Sequence, residues 1–128
     1  KYYMLQQTRS KISYDEVLTN VIEKVKKLGY DNIRADISDY EAPHQLIGKT
    51  NNVNFTPDVT AEKNDGKAYF EIATKMDNPN ELINKWKLLE TLAHMKNGIF
   101  QIYVPHGHMK FTQELIKDHN IHAELLKI

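Results

Sequence analysis

The chain has 128 residues, in which 17 Lys and Arg balance 17 Asp and Glu, with six His and no Cys. That length suits a single α/β-sized domain spanning 1–128, and a charged fraction of 27% beside 41% hydrophobic residues excludes wholesale disorder. The lack of Cys excludes a disulfide scaffold, a thiolate nucleophile and a Cys-ligated zinc or iron–sulfur site, and fits a reducing, cytoplasmic setting.

Residues 1–12 show no clear period and read as an N-terminal arm or a short extra element. Ser13-Tyr14-Asp15-Glu16 has the form of a capping box, a hydroxyl at the N-cap with a carboxylate three residues on. Tyr14, Val17, Leu18, Val21, Ile22, Val25 and Leu28 then recur at helical spacing and Gly29 follows, which predicts an amphipathic helix with a glycine C-cap. Ile33 to Ile37 reads as a short strand, and Tyr40 to Asn54 as a long polar loop. Phe55 to Glu62 and Lys67 to Thr74 are strand-like and flank Lys63-Asn64-Asp65-Gly66, an Asp-Gly turn that predicts an antiparallel hairpin. Asn78-Pro79-Asn80-Glu81 opens a second helix, with Pro at its first position. This helix carries apolar stripes on two sides, Leu82, Ile83, Trp86, Leu89 and Ala93 against Leu88, Leu92 and Met95, as if covered from two directions. Asn97-Gly98 ends it. A strand over Ile99 to Val104, a helix over about Lys110 to His119 and a strand over about Ile121 to Lys127 complete the chain. The fold expected is α/β, a mixed sheet flanked by helices in the order α-β-β-β-α-β-α-β.

No apolar run approaches the roughly 20 residues of a membrane span and no signal-peptide pattern opens the sequence, so no membrane partner is expected. The neutral balance also hides a pattern. Residues 1–34 sum to +3, residues 35–62 to −4, residues 63–96 to +1 and residues 97–128 to zero. An acidic middle is either solvated surface or a carboxylate cluster that needs a cation. Asp58 follows Pro57, and Glu71 lies mid-strand in Ala68-Tyr69-Phe70-Glu71-Ile72-Ala73, where alternation sets Glu71, Ala73 and Lys75 on one face. A carboxylate among Tyr, Phe and Ile is costly unless paired or metal-bound. If the hairpin brings Asp58 beside Glu71, the two would share a proton or bind a hard cation such as Mg²⁺. Otherwise both lie on an open sheet face, with Lys67 and Lys75 as surface partners.

Phe55-Thr56-Pro57-Asp58-Val59, followed after 12 residues by Glu71-Ile72-Ala73, resembles the PD-(D/E)XK nuclease superfamily, nearest in pattern to archaeal-type Holliday junction resolvases. The likeness covers about residues 13–104 and includes the order of elements. It implies a restriction-endonuclease-like fold and Mg²⁺- or Mn²⁺-dependent hydrolysis of DNA phosphodiesters. Asp58, Glu71 and the Ile72 carbonyl would be the metal ligands, and the enzyme a homodimer with no small-molecule cofactor. The sequence departs from the family at the lysine that activates water, where Ala73 stands. Lys75, about 6.6 Å further along the strand, is then the candidate displaced catalytic lysine. Loss of catalysis is the alternative, leaving a nuclease-fold module that binds DNA or protein. An unrelated small-molecule-binding domain is the reading if Asp58 and Glu71 lie far apart.

The remaining candidates are weaker. Glu16 and Glu23, the candidates for the helix acid often found in the family, both lie off the apolar stripe of the first helix, and Glu16 reads more simply as a capping residue. Glu62 shares parity with Asp58 but reads as a solvated strand end. His106 and His108 form a close pair without a third ligand, and His44 sits in the long loop. Trp86 reads as core, while Lys85 and Lys87 beside it could meet a phosphate backbone. Zero net charge confines any DNA contact to something weak and local.

Overall fold

A computed structural model describes the backbone of residues 2–48 and 53–128 and the side chains of 14–48 and 53–128. Three helices and seven strands follow in the order α1 (Tyr2–Lys27), β1 (Asp31–Ala35), β2 (Leu46–Ile47), β3 (Asn54–Phe55), β4 (Val59–Lys63), β5 (Gly66–Ile72), α2 (Asn80–Met95), β6 (Ile99–Val104), α3 (Met109–Asp118) and β7 (Glu124–Lys127). The main sheet runs β1-β4-β5-β6-β7, and β2 pairs with β3 in a small separate ribbon. The β1–β4 and β4–β5 pairs are antiparallel, whereas β5–β6 and β6–β7 are parallel. The sheet is therefore mixed, as expected, with helices on both faces.

α1 corrects the reading of the N-terminus. The helix passes through Ser13-Tyr14-Asp15-Glu16 without a break, so residues 2–12 are helical rather than an arm and Ser13 does not mark a helix start. No Gly or Pro occurs before Gly29 to stop a helix, and a capping pattern cannot end one that continues on both sides. The other end closes as expected: Gly29 takes φ +89°, its N–H bonds the Lys26 carbonyl, and the Tyr30 N–H bonds that of Val25. That pair of bonds is a Schellman motif, and the left-handed residue in it favours Gly. Leu28 is 50% exposed and belongs to the cap rather than to the apolar stripe.

The sheet separates two cores. Leu18, Val21, Ile22 and Val25 of α1 pack with Ala35, Val59, Ala61, Ala68, Phe70 and Ile72 on one face. Ile83, Trp86, Leu89 and Ala93 of α2, with Leu115 of α3, pack with Tyr69, Ala73, Phe100, Ile102 and Val104 on the other. Of the second stripe of α2, Leu88 and Leu92 are half-buried, Leu92 against the same core, and Met95 is 72% exposed.

The β4–β5 hairpin turns through Asn64 (φ 52°) and Asp65 (φ 64°), between the paired Lys63 and Gly66. The turn itself is thus Asn-Asp in the I′ form, and Gly66 is already in the strand. The expected strand from Phe55 is broken, because Pro57 has no N–H to give and β4 starts only at Val59. Phe55 pairs instead with Leu46, so the expected loop contains a short ribbon; its residues 49–52 lie outside the described ones. Pro79 is the N-cap of α2 rather than its first residue, and β7 starts three residues later than expected. Among the described residues no helix is long and apolar enough to cross a membrane.

Candidate functional site at the end of the sheet

One step beyond the last β4–β5 pair, Val59↔Phe70, the register sets Asp58 opposite Glu71. The juxtaposition follows from a two-residue turn that fixes the register and from Pro57, which ends the ladder. The small-molecule alternative, which needed the two acids far apart, loses its premise. On β5, Ala68, Phe70 and Ile72 face α1 while Tyr69 and Ala73 face α2. By the same alternation Glu71 enters the α2 layer, where it is 1% exposed.

Two bonds lock the acids to the backbone. The Asp58 N–H donates to Glu71 Oε2 at 2.8 Å, and the Ile72 N–H donates to Asp58 Oδ2 at 2.8 Å. Side chains from both helical layers complete the cluster. Tyr14 of α1 donates its hydroxyl to Asp58 Oδ1 at 2.7 Å. Trp86 of α2 donates Nε1–H to Glu71 Oε1 at 3.1 Å, and the neighbouring Lys85 brings its ammonium to the same oxygen at 3.0 Å. Lys85 and Trp86 are adjacent in α2, which lets a largely buried cation and a buried indole converge on one oxygen.

The electrostatics follow from this packing. Burial, and then the nearby Asp58 charge, push the Glu71 carboxyl from an ordinary 4.5 up to about 8, against the pull of Lys85 and the Asp58 N–H. Burial and the Asp58 carboxylate also push the Tyr14 hydroxyl far up, so it stays a donor.

Lys75 does not join the cluster. β5 ends at Ile72, so the strand alternation that would align Lys75 with Glu71 stops short of it. Lys75 is exposed, its backbone N–H bonds His108 Nδ1 at 2.9 Å, and it makes no ion pair with either acid among the described residues. The cation at Glu71 comes instead from α2. Helical spacing from buried Ile83 and Leu89 places Trp86 inward and Lys85 at its flank, a signal that sequence reading weighed only for phosphate contact. From the first helix it is Tyr14 that reaches the pair, while Glu16 and Glu23 are exposed. Glu62 is exposed and engages Asn32 and Lys67 at the far end of β4. His44, His106 and Lys87 are exposed.

The donor set fits Mg²⁺ or Mn²⁺ poorly. All four carboxylate oxygens already accept hydrogen bonds from the chain, and Glu71 Oε1 accepts two. The Ile72 carbonyl does leave the strand toward Asp58, on the side of the Ile72 N–H that Asp58 holds. Among the described residues no three His, Asp or Glu side chains converge. A divalent ion about 2.1 Å from Oε1 would lie within about 5 Å of the Lys85 ammonium, a repulsion of about 7 kcal/mol at an effective dielectric constant of about 20.

A cleft of about 430 Å³ opens beside the cluster, lined by the apolar Phe55, Met76 and Leu82, by Asn78 and Asn80, and by the charged Glu81 and Lys85. It lies past the carboxyl end of β5 and at the start of α2, the end of an open α/β sheet where ligands commonly bind. Comparison with protein-family models, with curated proteins and with solved structures finds no match for this chain.

Proposed function

We propose that this chain is a PD-(D/E)XK-like domain of restriction-endonuclease-like fold that no longer hydrolyses DNA and serves as a binding or accessory module. Support for the ancestry comes from the helix, the antiparallel three-strand meander β1-β4-β5, the α2 crossover to parallel β6, and the Pro57-Asp58 and Glu71 pair at the sheet end. One observation carries the loss of catalysis: every oxygen of the acid pair is held by a donor of the chain itself. Ala73 is buried where the water-activating lysine would stand, and Lys75 is exposed and makes no ion pair with either acid among the described residues. The cleft has three apolar side chains, two amides and the opposite charges of Lys85 and Glu81, and the chain has no net charge, which suits a protein segment better than a phosphate backbone.

A metal-dependent endonuclease is the second reading, favoured by the adjacency of Asp58 and Glu71. In it these two residues would hold Mg²⁺ or Mn²⁺, and the ion would acidify water for attack on a phosphodiester. A plasmid-cleavage assay in Mg²⁺ and Mn²⁺, on wild type and Glu71→Ala, separates the two. The proposal expects intact plasmid throughout. Cutting by wild type that disappears in Glu71→Ala would establish the nuclease.

A further inference from the structure

The two edges of the main sheet are β1 and β7. β1 is blunted: a register shift interrupts its ladder, and the Ala35 N–H is taken by the Glu41 carbonyl of the segment that follows. β7 has no such protection among the described residues. Its inner side pairs in parallel with β6, and the Ile128 N–H continues that ladder by donating to the Val104 carbonyl. Alternation then turns the N–H and C=O groups of Leu125 and Lys127 outward, where no described backbone group bonds them. Beside this edge, on the α1 face, lies a groove of about 350 Å³ lined by Leu28, Tyr103 and Leu126 and by Lys24, Lys27 and Lys127. The three lysines are exposed and make no ion pair among the described residues. Lys26 turns instead to the Tyr40 ring, and Glu124, the carboxylate at the start of β7, accepts from Gln101 at 2.6 Å.

We infer that β7 is a docking edge for an acidic, extended segment of a partner protein, which adds to the sheet as a further strand and sets its carboxylates against Lys24, Lys27 and Lys127. Main-chain bonds to Leu125 and Lys127 supply affinity, and alternate side chains of the segment enter the groove beside Leu28 and Leu126. The lysines also select the occupant. A second copy of this chain would bring like charges together across the edge, whereas an acidic strand neutralises them. The edge shares no residue with the cleft beside Lys85, so the inference stands independently of the reading of the acid pair.

The probe is a capped peptide of about six residues that alternates Glu and Val, with a peptide alternating Lys and Val as its control. Hydrogen exchange of the full chain is followed amide by amide in ¹⁵N-correlated spectra. At saturation the Glu peptide slows exchange of the Leu125 and Lys127 amides at least about tenfold, and the Lys peptide leaves them unchanged. Lys24→Glu combined with Lys27→Glu weakens binding at least about tenfold. Lys127→Pro, which removes an outward donor as well as the charge, weakens it more than Lys127→Ala, which removes the charge alone. Amides that the Glu peptide leaves unprotected overturn the inference, even where the peptide shifts the lysine signals, and so does equal protection by the Lys peptide. Protection that is present without peptide and grows with protein concentration assigns the edge to a second copy and overturns it too.

Discussion

Replacing Glu71 by Gln keeps the size of the side chain and removes its charge, which isolates what burial of that charge costs. The folded carboxyl lies above its ordinary value, so between 4.5 and about 8 the native state holds a proton that the unfolded chain has released. Its stabilisation is therefore complete below about pH 4.5 and is lost as the pH rises through about 8. At 1.36 kcal/mol per unit, the interval from 4.5 to about 8 sets a ceiling of about 5 kcal/mol. The Gln side chain can still accept from Trp86 and Lys85, but its amide then faces the Asp58 N–H, donor against donor, at about 1–3 kcal/mol. Glu71→Gln is thus expected to be less stable than wild type near pH 5 and to equal or exceed it near about pH 9. Urea unfolding followed by Trp86 fluorescence across that range measures the difference, and an acidic Glu71 must show its ionisation in the same signal. Wild-type and Glu71→Gln curves that run parallel throughout would refute the assignment of a raised, buried carboxyl.

Tyr14→Phe removes the hydroxyl that ties α1 to Asp58 while leaving the ring, and is expected to lower stability by about 1–2 kcal/mol in urea unfolding. An effect that persists undiminished in an Asp58→Asn background would show that the hydroxyl acts through another group. Lys75→Ala should change stability by less than about 0.5 kcal/mol and leave the pH response of Trp86 fluorescence unaltered, which separates it from Lys85. Asp65→Gly places a residue without a Cβ at the φ 64° turn position and should raise thermal stability by about 0.5–1 kcal/mol. Gly98→Ala would set a methyl group against the Lys67 carbonyl, and a loss of about 3 kcal/mol or more is expected by thermal unfolding.

The elements of this chain are largely written in local patterns. The 3.6-residue stripes of α1 and α2, the turn around Asn64 and Asp65, and the apolar run ending at Pro105 each specify an element through nearest neighbours in sequence. The same turn fixes the strand register, so the meeting of Asp58 and Glu71 was implicit in the spacing between them. Local pattern misled where two elements could share one stretch: the capping box at Ser13 lies inside a longer helix, and Phe55 leaves its expected strand to pair with Leu46. The partners of the acid pair were of another kind. Tyr14 is 44 residues from Asp58 and Trp86 is 15 from Glu71, and nothing in their own neighbourhoods marks them as hydrogen-bond donors to a carboxylate. The sequence by itself therefore determined which acids would be neighbours, because strand register is a local property. Only the packing of α1 and α2 against opposite faces of the sheet decided what those acids would touch. That packing set the Tyr14 hydroxyl on Asp58 and brought Trp86 and Lys85 to Glu71.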